Sequence, residues 1–122
     1  MNELKAILID PTTRTIKDTV VDYDLQAWYD KLDCDAVQIT TLPLEAGRFQ
    51  MIIDEEGLFK PELDQFRFEE VFAQQYAGKA LLVQFDETED EDGNVIIKDR
   101  MEATAEDVED SVIWCDTKMV LE

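Results

Sequence analysis

The stretch Gly78-Lys79-Ala80-Leu81-Leu82-Val83-Gln84 decides how this chain folds. A strand wet on one face alternates apolar and polar residues. An unbroken run as short as Ala80 to Val83, flanked by Gly78-Lys79 and Gln84, indicates burial on both faces and hence a central place in a sheet. Its neighbours are sought outward along the chain. On the C-terminal side Asn94 to Lys98 is apolar and β-branched, and is expected to pair with the central strand across an acidic connection. On the N-terminal side Leu4 to Ile9 is stopped by Asp10-Pro11 and followed by the β-branched run Thr15 to Val21, which reads as a hairpin. Ala36 to Leu42 and Arg48 to Asp54 form two more strands around Pro43 to Gly47, the second showing period two through Phe49, Met51 and Ile53.

Helical signals are fewer. Asp22 or Asp24 is placed to cap a helix ending near Leu32, whose residues Leu25, Trp28, Tyr29 and Leu32 form one apolar stripe. Thr104 with Asp107 imitates a capping box and predicts a short helix over 105–110. Val112 to Cys115 and Met119 to Leu121 read as a terminal strand or hairpin. The aromatic segment from Leu58 to Tyr76, with Phe66, Phe68, Phe72 and Tyr76, is extended around Phe66 and Phe68. It leaves a helical turn or two open over Glu69 to Tyr76, and Gly78 ends it. With no solenoid-like repeat and no Pro/Ser linker, the expectation is a single α+β domain over 1–122, mostly antiparallel sheet with two or three short helices.

Composition narrows function. The 122 residues carry 30 Asp+Glu against 11 Lys+Arg, no histidine and a formal charge of −19. Direct binding to nucleic acid needs cations that displace phosphate counterions, and anionic lipid repels such a chain for the same reason. Lack of histidine removes imidazole bases, Ser-His and Cys-His dyads, and His-ligated metals. The glycines are scattered rather than gathered into a phosphate loop, Ser111 has no base to activate it, and Arg14, Arg48, Arg67 and Arg100 form no anion clamp. Close carboxylate pairs are unavoidable at this acid content and carry no catalytic information. We therefore expect no enzyme, no cofactor and no metal. Cys34 and Cys115 read as free thiols of a reducing compartment, a disulfide being the alternative, and Asp33 and Asp35 should raise the Cys34 pKa. Without a basic leader or a long apolar run, the expected location is cytoplasmic.

The loudest local feature is the run Asp86, Glu87, Thr88, Glu89, Asp90, Glu91, Asp92, followed by Gly93-Asn94. It admits three readings: a solvated hairpin loop turned at Asp92-Gly93, a patch for a basic partner, or an EF-hand. The last would put Thr88 and Asp99 where Asp and Glu are wanted, between flanks that read as strands. The charge is also uneven, since residues 62–122 hold 18 acids and 5 bases. A domain of this size spans roughly 35 Å, and duplex DNA of that length carries roughly 20 phosphate charges, the magnitude found here. Solubility alone needs a net charge of only about 2–8. The acids Asp86, Glu87, Glu89, Asp90, Glu91, Asp92, Glu106, Asp107, Glu109 and Asp110 are the candidate contact residues for a basic protein surface. Acidity that serves only solubility, in a structural module or a homodimer built on a strand edge, is the competing reading.

Three collinear stretches, Lys5 to Pro11, Asp54 to Lys60 and Ala77 to Val83, resemble a family of small uncharacterised proteins of bacteriophages and related mobile elements, a domain of unknown function. The likeness spans most of the chain except its more acidic tail. It implies phage or prophage origin and carries no site residues. With the charge, it leads to the expectation of an acidic, DNA-mimicking accessory protein. Such a protein would bind and inhibit a host nuclease or other DNA- or RNA-binding protein, as anti-CRISPR and anti-restriction proteins do.

Overall fold

A computed structural model describes residues 3–71 and 73–119. Its centre is a five-stranded antiparallel sheet of β1 (Glu3–Asp10), β2 (Thr15–Asp22), β3 (Val37–Leu44), β4 (Gly47–Asp54) and β7 (Ala80–Val83), in the order β2-β1-β7-β4-β3. The apolar run is the middle strand, all four residues of it buried. Its partners are β1 and β4, with Ile7 opposite Leu82 and Met51 opposite the same residue. The 94–98 segment is not its neighbour, contrary to expectation. The backbone on both sides of Ala80–Val83 is already taken, so β9 (Val95–Asp99) pairs with β8 (Phe85–Glu89) in a separate hairpin.

Both faces of the main sheet are covered, which is why its middle strand, β7, is apolar throughout. On one face Ile7, Ile9, Leu42, Phe49, Met51, Ala80 and Leu82 pack against Phe66, Phe68, Met101 and Val108. The first two of these belong to β5 (Gln65–Phe68), which lies between β6 (Gln75–Ala77) and β10 (Val112–Cys115) in a three-stranded antiparallel sheet. Val108 belongs to α2 (Ala105–Glu109). On the other face Leu4, Ala6, Val21, Ile52, Leu81 and Val83 pack against Trp28 and Leu32 of α1 (Leu25–Leu32), with Phe85 and Ile97 of the β8–β9 hairpin alongside. Consecutive leucines 81 and 82 thus serve opposite cores. The architecture is small and mostly antiparallel sheet, with two α-helices among the described residues.

Local chemistry accounts for the element ends. Asp24 caps α1 by accepting the Ala27 N–H at 3.1 Å, and Asp33 closes it in a left-handed conformation at φ 53°. The stripe is narrower than the spacing predicts: Trp28 and Leu32 are buried, whereas Leu25 is 53% exposed. The Thr104–Asp107 box forms, the Asp107 carboxylate accepting the Thr104 N–H at 2.8 Å. Within the aromatic segment, 3-10 turns at Gly57–Phe59 and Glu69–Val71 flank β5, and Gln75–Ala77 is strand rather than helix. Phe66 anchors this layer through edge contacts to Phe68 and Trp114. Phe72 and the 120–121 part of the expected terminal strand lie outside the described residues; Met119 is not in a strand.

Candidate functional site

The sheet register gives the molecule two ends. At one, β1 begins, β2 finishes and β3 turns into β4; β7 runs toward it and continues into the β8–β9 hairpin. This end gathers Glu3, Asp22 and Asp24, Glu45 of the β3–β4 turn, Glu69 and Glu70 beyond β5, the six acids of 86–92, Asp99 and Glu102, and the four acids of α2 and its C-cap. Among the described residues only Lys5, Arg48, Lys98 and Arg100 accompany them. The opposite end carries most of the neutralisation. Ion pairs there join Arg14 to Asp116, Lys60 to Asp54, Lys79 to Asp33 and Lys118 to Asp64. At the acidic end the ion pair among the described residues is Arg100–Asp86, at 2.6 Å.

All ten sequence-predicted contact residues are exposed, and they fall into two groups. Asp86, Glu87 and Glu89 are strand residues of β8, not loop residues as expected, because the strand persists through Glu89 and only 90–94 form the turn. Asp90 organises that turn. Its carboxylate accepts the N–H groups of Asp92 and Asn94, each at 2.9 Å, which holds its pKa below the ordinary carboxylate value. The flanks of the run are the two strands of one hairpin, a geometry foreign to the helix-loop-helix of an EF-hand. Glu87 points to the α1 face and accepts the Tyr23 hydroxyl at 2.9 Å. Burial, with that carboxylate's help, raises the Tyr23 pKa.

The second group rides on α2, which packs on the opposite face of the main sheet through Val108. Asp18 of β2 fixes the start of this helix by accepting the Ala105 N–H at 2.8 Å. Asp107 and Asp110 face a broad depression of about 680 Å³, whose lining includes Glu45, Gln84, Arg100, Glu102 and Ser111. Arg100 spans from this depression to Asp86, so the two groups meet at one end of the molecule although they sit on different faces. Glu106 and Glu109 do not line the depression.

Sequence spacing missed Glu45, Glu70 and Glu102, which join this region only through the fold. Glu70 is its structural hub: its carboxylate accepts the Glu45 N–H at 2.7 Å and the Ser111 hydroxyl at 2.9 Å. Burial opposes its charge, but the two hydrogen bonds outweigh that and lower its pKa. No linear signal joins a β3–β4 turn, a 3-10 turn and the residue after a helix.

Both cysteines are free, Cys34 buried and Cys115 half-buried. Burial is the main cause of the raised Cys34 pKa. Asp54 is the leading carboxylate, Asp35 contributes least, and Asp33, which was expected to contribute, is instead paired with Lys79. Among the described residues no helix is long and apolar enough to cross a membrane. No family model, curated protein or solved structure matches the chain.

Proposed function

We propose that this protein is an acidic accessory protein of phage type. In this reading it binds a host nucleic-acid-handling protein, such as a defence nuclease, and inhibits it by presenting a DNA-like negative surface. The observation that supports this most is the segregation of charge. Acids with few cationic partners crowd the β8–β9 end, whereas the ion pairs cluster at the other. Acidity kept only for solubility has no reason to be polarised, and packing like charges together costs compactness. A polarised end matches a cationic groove and steers association electrostatically, giving fast, salt-sensitive binding. The chemistry of the site fits occupation rather than turnover. Most of its carboxylates are exposed, those with partners are spent on backbone N–H groups, a hydroxyl or Arg100, and imidazole is absent from the sequence.

The test is capture from a bacterial lysate on the immobilised protein beside a variant with Glu87, Glu89, Asp90, Glu91 and Asp92 changed to Gln or Asn. Retention of a nucleic-acid enzyme by the native protein at low salt, lost at high salt and in the variant, is the expected result. Equal retention by both would overturn this placement of the site.

A further inference from the structure

Strand β3 is the open edge of the main sheet beside β4. In an antiparallel ladder the backbone groups of successive residues point alternately to the two sides. The Arg48 carbonyl is taken by Gln84 Nε2 on the β7 side, and the Glu55 N–H reaches Ala36 on the β3 side. Odd-numbered residues of β4 therefore bond to β3. The register, Leu44 opposite Gly47 and Val37 opposite Asp54, assigns those bonds to residues 38, 40, 42 and 44 of β3. Val37, Ile39 and Thr41 consequently turn both N–H and C=O outward, and Pro43 sits where a missing N–H costs the ladder nothing.

Natural edges are blunted with charge, proline, short length or bulges, and of these β3 has Pro43 alone, one residue from its end. The other edge, β2, follows that rule with Lys17, Asp18 and Asp22. Strand β3 is eight residues long and uncharged, with Ile39 46% exposed, in a protein that is 34% charged. Beside it, between the two sheets, lies a cavity of about 330 Å³ whose lining includes Gln38 and Thr40 of β3 together with Phe59, Gln75, Tyr76 and Glu55. The Gln75 Oε1 atom is buried with no donor among the described residues. The cavity offers aromatic walls for an aliphatic stem and the Glu55 carboxylate, which together complement an arginine or lysine side chain.

We propose that β3 receives an extended segment of the basic partner by strand addition, with a cationic side chain of that segment entering the cavity beside Gln75. This rests on the partner being basic. The net charge of −19 argues for that occupant over a second copy, since two copies repel.

The probe is a short acetylated peptide alternating threonine and valine around one arginine, with a control carrying glutamate in its place. The readout is amide NMR with hydrogen exchange on the full chain. Peptide should slow exchange at the Val37, Ile39 and Thr41 amides by about tenfold or more, while residues 38, 40 and 42 are protected throughout. The glutamate peptide should not do so, and Ile39→Lys, an exposed position, should weaken the effect; Thr41→Pro should abolish it.

Absence of the footprint, or a footprint confined to the β8–β9 end, overturns the proposal. So does protection of the three amides in the free protein that fades on dilution, because a second copy then fills the edge. Neutralising the hairpin acids should leave this footprint in place. The strand-addition site and the acidic-end reading therefore fail separately.

Discussion

Replacing Glu70 tests whether the acidic end is a built structure rather than an accumulation of surface charge. One carboxylate ties the β3–β4 turn to the end of α2 through the Glu45 N–H at 2.7 Å and the Ser111 hydroxyl at 2.9 Å. Hydrogen bonds to a charged group contribute about 1.5–3 kcal/mol each when shielded, and well under that when solvent competes. Glu70 is exposed, so about 2 kcal/mol for the pair is the expected loss in Glu70→Ala, and about half that in Glu70→Gln, whose amide oxygen still accepts. For a chain of this size each kcal/mol corresponds to roughly 3–6 °C in Tm.

The sign of the pH dependence follows from the lowered pKa. The unfolded carboxyl titrates near the ordinary glutamate value of about 4.5, and the folded one below it. The stabilisation is therefore complete above the unfolded value and is lost as pH falls through the folded one. Urea unfolding of native protein and Glu70→Gln at neutral pH and across the acid range is the assay, with the difference in stability expected to shrink toward zero at the acid extreme. Equal stability at neutral pH, or a difference that persists undiminished in acid, would mean that the Glu70 carboxylate does not hold the turn and the helix end together.

Leu82→Ala removes a fully buried side chain from the middle strand and should cost about 2–5 kcal/mol in denaturant unfolding. Gly57→Ala should destabilise measurably although its φ is ordinary, because the new Cβ would lie 2.7 Å from the Ala77 carbonyl, part of a strand that cannot retreat freely; thermal melts read this. With both thiol pKa values raised, mainly by burial, Cys34 and Cys115 should react slowly with a thiol reagent near neutral pH, Cys115 faster because it is less buried. Rates for both should climb as pH approaches and passes the ordinary thiol value.

Local chemistry made most of the framework legible. The apolar run at Ala80–Val83, the Asp24 cap, the Thr104–Asp107 box and the β-branched pairs are short-range signals, and each marks an element where it stands. Partner choice was less readable. Asn94 to Lys98 is as β-prone as any strand here, but pairing depends on which edges are already occupied, and β1 and β4 fill both sides of β7. The 58–76 segment resisted reading because its strands are only three and four residues long and are punctuated by 3-10 turns. The site was half legible. A run of acids announces itself at 86–92, but the convergence of Glu45, Glu70 and Glu102 on α2 is a property of topology.

In the proposed function the acidic end occupies a surface that otherwise holds nucleic acid. The most direct measurement is competition: a captured nucleic-acid enzyme is titrated with a short duplex at constant ionic strength while its release from the immobilised protein is followed. Displacement by duplex, faster as salt rises, and mutual exclusion of the two ligands are expected. A ternary complex of enzyme, duplex and this protein, with the protein still bound at saturating duplex, would contradict the proposed function.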